Sequence, residues 1–259
     1  MLTVDPLSVV PLHIECVYGE KSLGIATGFY VKHASKSYLV TNWHVVTGLN
    51  SETNQPHRDD GSTPDAIPVW HHGAGGLGHW ARLRVPLYDQ KGAAWKEHPS
   101  GRSVDVVALP MPDNSAVVAY PLDLALADTD ILISPSEPVS IIGFPLGLAS
   151  NAMFPVWKTG HVASDIDLDY KGKPAFLIDA MTVGGMSGSP VVARRTSGYR
   201  STSATLTLNT EFANRFMGVY SGRIHRESGI GMVWKPHTLD AILGRTSPPR
   251  ASTSTPGAH

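Results

Sequence analysis

Residues 184–190 read GGMSGSP and set Ser187 between glycines in what must be a tight turn. Residues without a Cβ reach backbone conformations closed to others, so such a turn exposes a hydroxyl while neighbouring amides converge. Two converging N–H groups can hold the oxyanion that forms when a carbonyl is attacked. Gly185 and Ser187 stand where those two amides belong. Taken alone, the heptapeptide is equally consistent with an ordinary Gly/Ser-rich hairpin.

Two further motifs lie upstream. In LVTNWHVV (39–46) an apolar strand runs into His44, which puts an imidazole at a strand end against a half-buried wall. A general base belongs in such a place, since its pKa must stay near neutrality and its ring must not wander. A lone histidine there is as readily a satisfied structural one. In SVDVVALP (103–110), Asp105 opens a buried run, an expensive position for a carboxylate unless donors face it. A histidine Nδ1–H is a natural partner, and a turn-capping role is the plainer alternative.

Around these motifs the chain alternates apolar runs with turns. SVVPLHIECVY, GIATGFYVK and SYLVTNWHVV read as three early strands, the last two joined by a short turn at 33–36. Residues 48–79 form a polar, glycine-rich excursion with a strand at AIPVW, and the HHGAGGLGH stretch within it reads as a flexible surface loop. ARLRVPLY and DVVALPMP resume the strand pattern, and the chain after Pro112 links two halves. PVSIIGFPLG, KTGHVASDIDL, AFLIDAM, SPVVARR, FMGVYSGR and GIGMVW supply a second series of strands. PHTLDAIL has helical spacing, with Leu239, Ile242 and Leu243 on one side. The Ser/Thr/Pro-rich residues 246–259 are expected to be a disordered tail. Periodicity alone says all-β and does not choose between a sandwich and barrels.

Composition narrows the function. With 42% hydrophobic and 17% charged residues the chain is globular, and 25 glycines with 20 prolines suit short strands and many turns. A net charge of -1 gives no reason to expect nucleic acid or an anionic membrane as partner. Cys16 is the only cysteine, so no disulfide forms within the chain, which fits a reducing compartment. The first residues lack the pattern of a signal peptide, and no run approaches the roughly 20 apolar residues of a membrane span. The expected location is cytoplasmic.

TNWHVV, SVDVVALP and GGMSGSP together, in the order His, Asp, Ser, resemble the trypsin-like serine peptidases. GFYV (28–31), IIGFPLG (141–147) and LIDAM (177–181) resemble further segments of the family, so the likeness spans residues 10–245. It is strongest to disulfide-free bacterial members of the glutamyl-endopeptidase and high-temperature-requirement types. The resemblance implies one peptidase domain over 1–245, built of two packed six-stranded antiparallel β-barrels at about 10–115 and 130–235 and closed by a short helix at about 236–244. It implies a serine endopeptidase with Ser187 as nucleophile, His44 as base and Asp105 as orienting acid. Gly185 and Ser187 would form the oxyanion hole, with no metal or organic cofactor.

The departures are informative. Met186 replaces the acid that in digestive trypsins pairs with a new N-terminus, so that route of activation is absent and control falls to loops, a regulatory protein partner or oligomerisation. By the family's spacing the primary specificity pocket falls between Met181 and Thr182 on one side and Ser221 and Gly222 on the other, with no acid at its base to select Arg or Lys. An apolar or small residue before the scissile bond is expected, with Gly222 pairing with the substrate backbone. His71, His72 and His79 lack a metal-ligand spacing. The competing reading is a peptide-binding pseudo-peptidase, or a latent peptidase awaiting a partner.

Overall fold

The computed structural model describes residues 4–225 and 227–246; beyond Thr246 the expected tail lies outside the described residues. The chain opens with β1 (Pro11–Tyr18), β2 (Lys21–His33) and β3 (Lys36–Thr41). Between β2 and β3 only Ala34 and Ser35 intervene, both at positive φ (47° and 63°). That pair of dihedrals matches the right-handed twist of the strands it joins.

β3 ends at Thr41, and a short helix, α1 (Trp43–Thr47), follows. His44 therefore sits in the first turn of a helix rather than at a strand end. The cause is Asn42, whose extended backbone turns the chain while its Nδ2 donates to Asp105 O at 2.7 Å. Trp43, Val45 and Val46 are then buried, and Gly48 at φ 69° closes the helix.

β4 (Ala66–Gly73) and β5 (Trp80–Pro86) complete the larger strands around this region. The expected strand at AIPVW runs on through His71, His72 and Gly73, and the exposed surface loop is confined to residues 74–79. Both imidazoles are buried, each 1% exposed, and they point to opposite faces because side chains alternate along a strand. His71 Nδ1 meets the Tyr30 hydroxyl at 3.2 Å, and His72 Nε2 donates to Val9 O at 2.9 Å. Burial pushes His71 down to about 4, so it stays neutral.

The first half is one antiparallel sheet of eight strands. From one edge to the other it runs Val117–Val118, β4, β1, β2, β3, Val107–Met111 and Lys96–Glu97, with β5 paired to β4. The second half closes into a six-stranded ring. Pro138–Gly143 pairs with Val156–Val162, then Ala175–Asp179, Ile230–Trp234, Ala213–Arg223 and Pro190–Arg195 follow, the last pairing back to the first. With the short C-terminal helix α2 (His237–Leu243), this fits the two-barrel architecture expected, with eight paired strands rather than six in the first half. A small hairpin of Gly198–Arg200 and Leu206–Leu208 had no clear sequence signal.

The continuous apolar runs of the motif strands have a structural cause. Leu39, Val107 and Leu109 face the interior of the first half, beside Ile14, Val46 and Ile67. Their neighbours Val40, Val106 and Ala108 face the other way, into a core shared with Ile142, Val192, Trp234 and α2. Strands buried on both faces lose the alternation of half-exposed ones. Phe29 is 0% exposed in this shared core and meets Phe216 of the second half edge-on at 5.9 Å. We expect Phe29→Ala to cost about 3–5 kcal/mol, read as a lower urea midpoint with unchanged slope. A loss below about 1 kcal/mol would mean that the halves are not held together here.

Candidate active site

Asp105, only 2% exposed, lies just before Val107–Met111, and three donors converge on it. The His44 backbone N–H reaches Oδ1 at 2.9 Å, His44 Nδ1 reaches Oδ2 at 2.7 Å, and Ser221 Oγ donates to Oδ2 at 2.6 Å. An ionised carboxylate only accepts, so Nδ1 carries the proton and Nε2 is left with a free lone pair. The sequence offered Ser221 as a pocket wall; here its side chain is a third support of Asp105.

The His44 side chain is 22% exposed. Burial disfavours its cation, but the charge of Asp105 and the hydrogen bond to it outweigh that and hold the pKa above the ordinary imidazole value. A second imidazole, His57, meets the His44 ring edge-on at 5.5 Å. Burial first, and then the neighbouring His44, pushes His57 down. His57 comes from the polar stretch QPHRDD, which carried no sequence signal of a site residue.

Ser187 lies on the second half, beside His44 in the cleft between the halves. Its hydroxyl donates to Ser221 O at 2.9 Å.

The loop around Ser187 is clamped. Gly185 has φ 93°, and a Cβ there would lie 2.2 Å from Phe144 O, so only glycine fits. Leu146 N–H donates to Gly184 O at 2.6 Å, and Thr27 Oγ1 donates to Gly185 O at 2.8 Å. In a trans peptide the C=O and the following N–H point oppositely. Tying Gly184 O to Leu146 therefore turns the Gly185 N–H away from Leu146. Thr27 N–H donates to Ser187 O and Gly188 N–H to Tyr220 O, at 2.8 Å and 2.9 Å. Met186 is 0% exposed and anchors the loop in the core of the second barrel.

The expected pocket is only partly assembled. Ser221 and Gly222 line a cleft of about 350 Å³ with His44 and Ser187. Met181 does not line a pocket wall: its side chain is 75% exposed and turned to solvent. Thr182 is buried, and its hydroxyl is hydrogen-bonded to the Tyr220 hydroxyl. Tyr220 could not be recognised from sequence, because its role depends on a register shift in the strand pairing between Tyr220 and Gly222.

Residues 26–197 match the model of the trypsin-like peptidase domain. The chain belongs to the trypsin-like peptidase family. It is accordingly a hydrolase, a serine peptidase of trypsin-like type. Solved structures it resembles include the Rv3671c protease from M. tuberculosis in an active form, with 18% identity, a TM-score of 0.50 and coverage of 93% of this chain and 84% of that one. An inactive form of the same protease gives 17%, 0.50, 92% and 89%. A thermostable serine protease AL20 from an extremophilic microorganism gives 12%, 0.51, 93% and 98%. At these identities the likeness is one of fold. No individually curated protein is similar enough in sequence to match. No helix among the described residues is long and apolar enough to cross a membrane.

Proposed function

We propose that the chain is a serine endopeptidase in which Ser187 is the nucleophile, His44 the general base and acid, and Asp105 the group that orients it. The observation that carries this reading is the bond from His44 Nδ1 to Asp105 Oδ2 at 2.7 Å, which leaves Nε2 unprotonated in the cleft that also holds Ser187. Ser187 Oγ adds to the peptide carbonyl while its proton passes to Nε2. The carbonyl oxygen, now negative, is received by the N–H groups of Gly185 and Ser187. His44 then gives the proton to the departing amine as the C–N bond breaks, leaving an acyl-enzyme. Water repeats the sequence and frees Ser187. The residues before the scissile bond extend along 221–223, with Gly222 leaving room for an added strand. No step in this chemistry calls for a metal or organic cofactor. Substrates on this reading are proteins or peptides.

The latent alternative, in which a regulatory protein partner corrects the oxyanion loop, needs a loop free to flip. The bonds from Leu146, Thr27 and the Met186 anchor weigh against it. A cytoplasmic enzyme in this state would be restrained by narrow specificity.

The test is labelling of the purified chain with a fluorophosphonate, a probe that reports an activated serine without knowledge of substrate. Labelling confined to the peptide that contains Ser187 is expected. A folded protein that takes no label would rule the reading out in favour of a binding module or a latent state.

The pH dependence follows from His44. The base must be neutral, and its raised pKa keeps it protonated to higher pH than an ordinary imidazole of about 6.5. We expect kcat/KM to rise with pH through a midpoint above that value. A midpoint at or below about 6 would show that Asp105 does not support the cation.

A further inference from the structure

Resting on the serine peptidase reading above, we infer that at the two positions flanking the scissile bond this chain takes a small residue before the bond and an apolar side chain after it.

The slot for the side chain directly before the bond is narrowed from inside. The primary slot would lie between residues 181–182 and 221–222, and at its inner end the Tyr220 ring, 1% exposed, is joined through its hydroxyl to Thr182. The ring also lies against the facing strand. A Cβ on Gly231 would sit 2.5 Å from Tyr220 Cε2 and 3.0 Å from its oxygen, so a larger residue there would have to displace the ring. A buried phenol held at both ends does not make way for a long substrate side chain. What remains at the mouth suits glycine, alanine or serine.

On the other side of Ser187 the chain keeps an open apolar pocket of about 170 Å³. Cys16, Leu23, Ile25, Val45 and Pro64 supply its apolar wall, and it shares only His44, His57 and Ser187 with the cleft along 221–223. If the acyl part of a substrate lies along 221–223, the leaving part passes over this pocket. A dry cavity of about 150 Å³ accommodates a benzene ring, so the volume suits Leu, Ile, Met or Phe. Arg58 at the rim is paired with Asp60 at 3.1 Å, so its charge is already countered. Burial pushes the Cys16 thiol up to about 12, so it stays neutral and serves as wall rather than as a second nucleophile. The apolar rim continues outward. Gly147 approaches Ile25 closely, and Leu146 and Leu148 beside it are 66% and 60% exposed.

The experiment digests a proteome-derived peptide library with the purified chain and sequences the new ends, with fluorophosphonate labelling run in parallel. Expected cleavage follows Gly, Ala or Ser and precedes Leu, Ile, Met or Phe. Ile25 is 38% exposed, so Ile25→Lys should fold while placing a charge in the pocket. It is expected to lower kcat/KM for a peptide with Leu after the bond at least about tenfold, and for one with Gly there much less. Tyr220→Ala is expected to shift the preference before the bond toward large residues; should it not fold, the Ile25 variant still decides. A labelled protein that cleaves after large residues, shows no apolar preference after the bond, or cleaves no peptide overturns this inference and leaves the assignment of Ser187 standing. Absence of label on the folded chain overturns both.

Discussion

Ser187→Ala is expected to lower kcat for peptide hydrolysis by about 10⁶-fold, and His44→Ala by nearly as much. Each removes half of one device. Without the hydroxyl there is no bond to form, and without the His44 imidazole the hydroxyl loses the base that Asp105 orients. In this structure the alternative partner of Ser187 Oγ is the Ser221 carbonyl, which accepts a hydrogen bond but does not remove a proton. The double variant should be no slower than either single one, because residues that act as a unit are not additive. A residual rate about 10³–10⁴ above water should survive in all three, supplied by the amides of Gly185 and Ser187 and by substrate binding. KM should change little. Single variants within about tenfold of the parent, or a double variant whose losses multiply, would show that Ser187 and His44 do not work on the same proton.

Much of this arrangement was legible in the sequence, for a physical reason. Motif strands buried on two faces must be apolar throughout, so a polar residue at their ends stands out: Asp105 before Val106, and His44 after the strand that carries Leu39 and Val40. Gly185 was legible because its φ of 93° and its approach to Phe144 O admit no side chain. What stayed hidden depends on register and on tertiary contact. The helix around His44 arises because Asn42 bonds to Asp105 O, a partner 63 residues away. His71 and His72 looked like loop residues because two adjacent histidines break the apolar pattern, yet each finds a separate partner on its own face of β4. Ser221 and Met181 were assigned by spacing along the chain. Spacing gives position but not side-chain direction, and the one turned to Asp105 while the other turned to solvent. His57 lies in a polar stretch whose composition says only surface, and it reaches His44 through the path of the 48–64 segment.

Asp105→Asn should lower kcat by about 10⁴-fold while the protein stays folded. The carboxylate receives the His44 N–H on one oxygen and both His44 Nδ1–H and Ser221 Oγ–H on the other. An amide has one accepting oxygen and one donating nitrogen, so it cannot satisfy all three. The backbone N–H of His44 cannot turn away, so the amide oxygen takes the Oδ1 position and the NH₂ takes the other. Facing that NH₂, Ser221 rotates its hydroxyl to accept, and His44 moves its proton from Nδ1 to Nε2. The fold keeps its hydrogen bonds, but the base now presents a donor toward Ser187. The charge that favours the imidazolium is lost in the same step, so the His44 pKa should fall below that of the parent. Three measurements separate this from simple damage: an unfolding midpoint close to the parent's, an unchanged KM, and loss of the downfield Nδ1 proton resonance of His44. Retention of activity within about tenfold would mean that Asp105 only holds the helix in place. Ser221→Ala, which removes one donor and leaves the tautomer alone, should be far milder, and that contrast ties the large loss to the proton's position on His44.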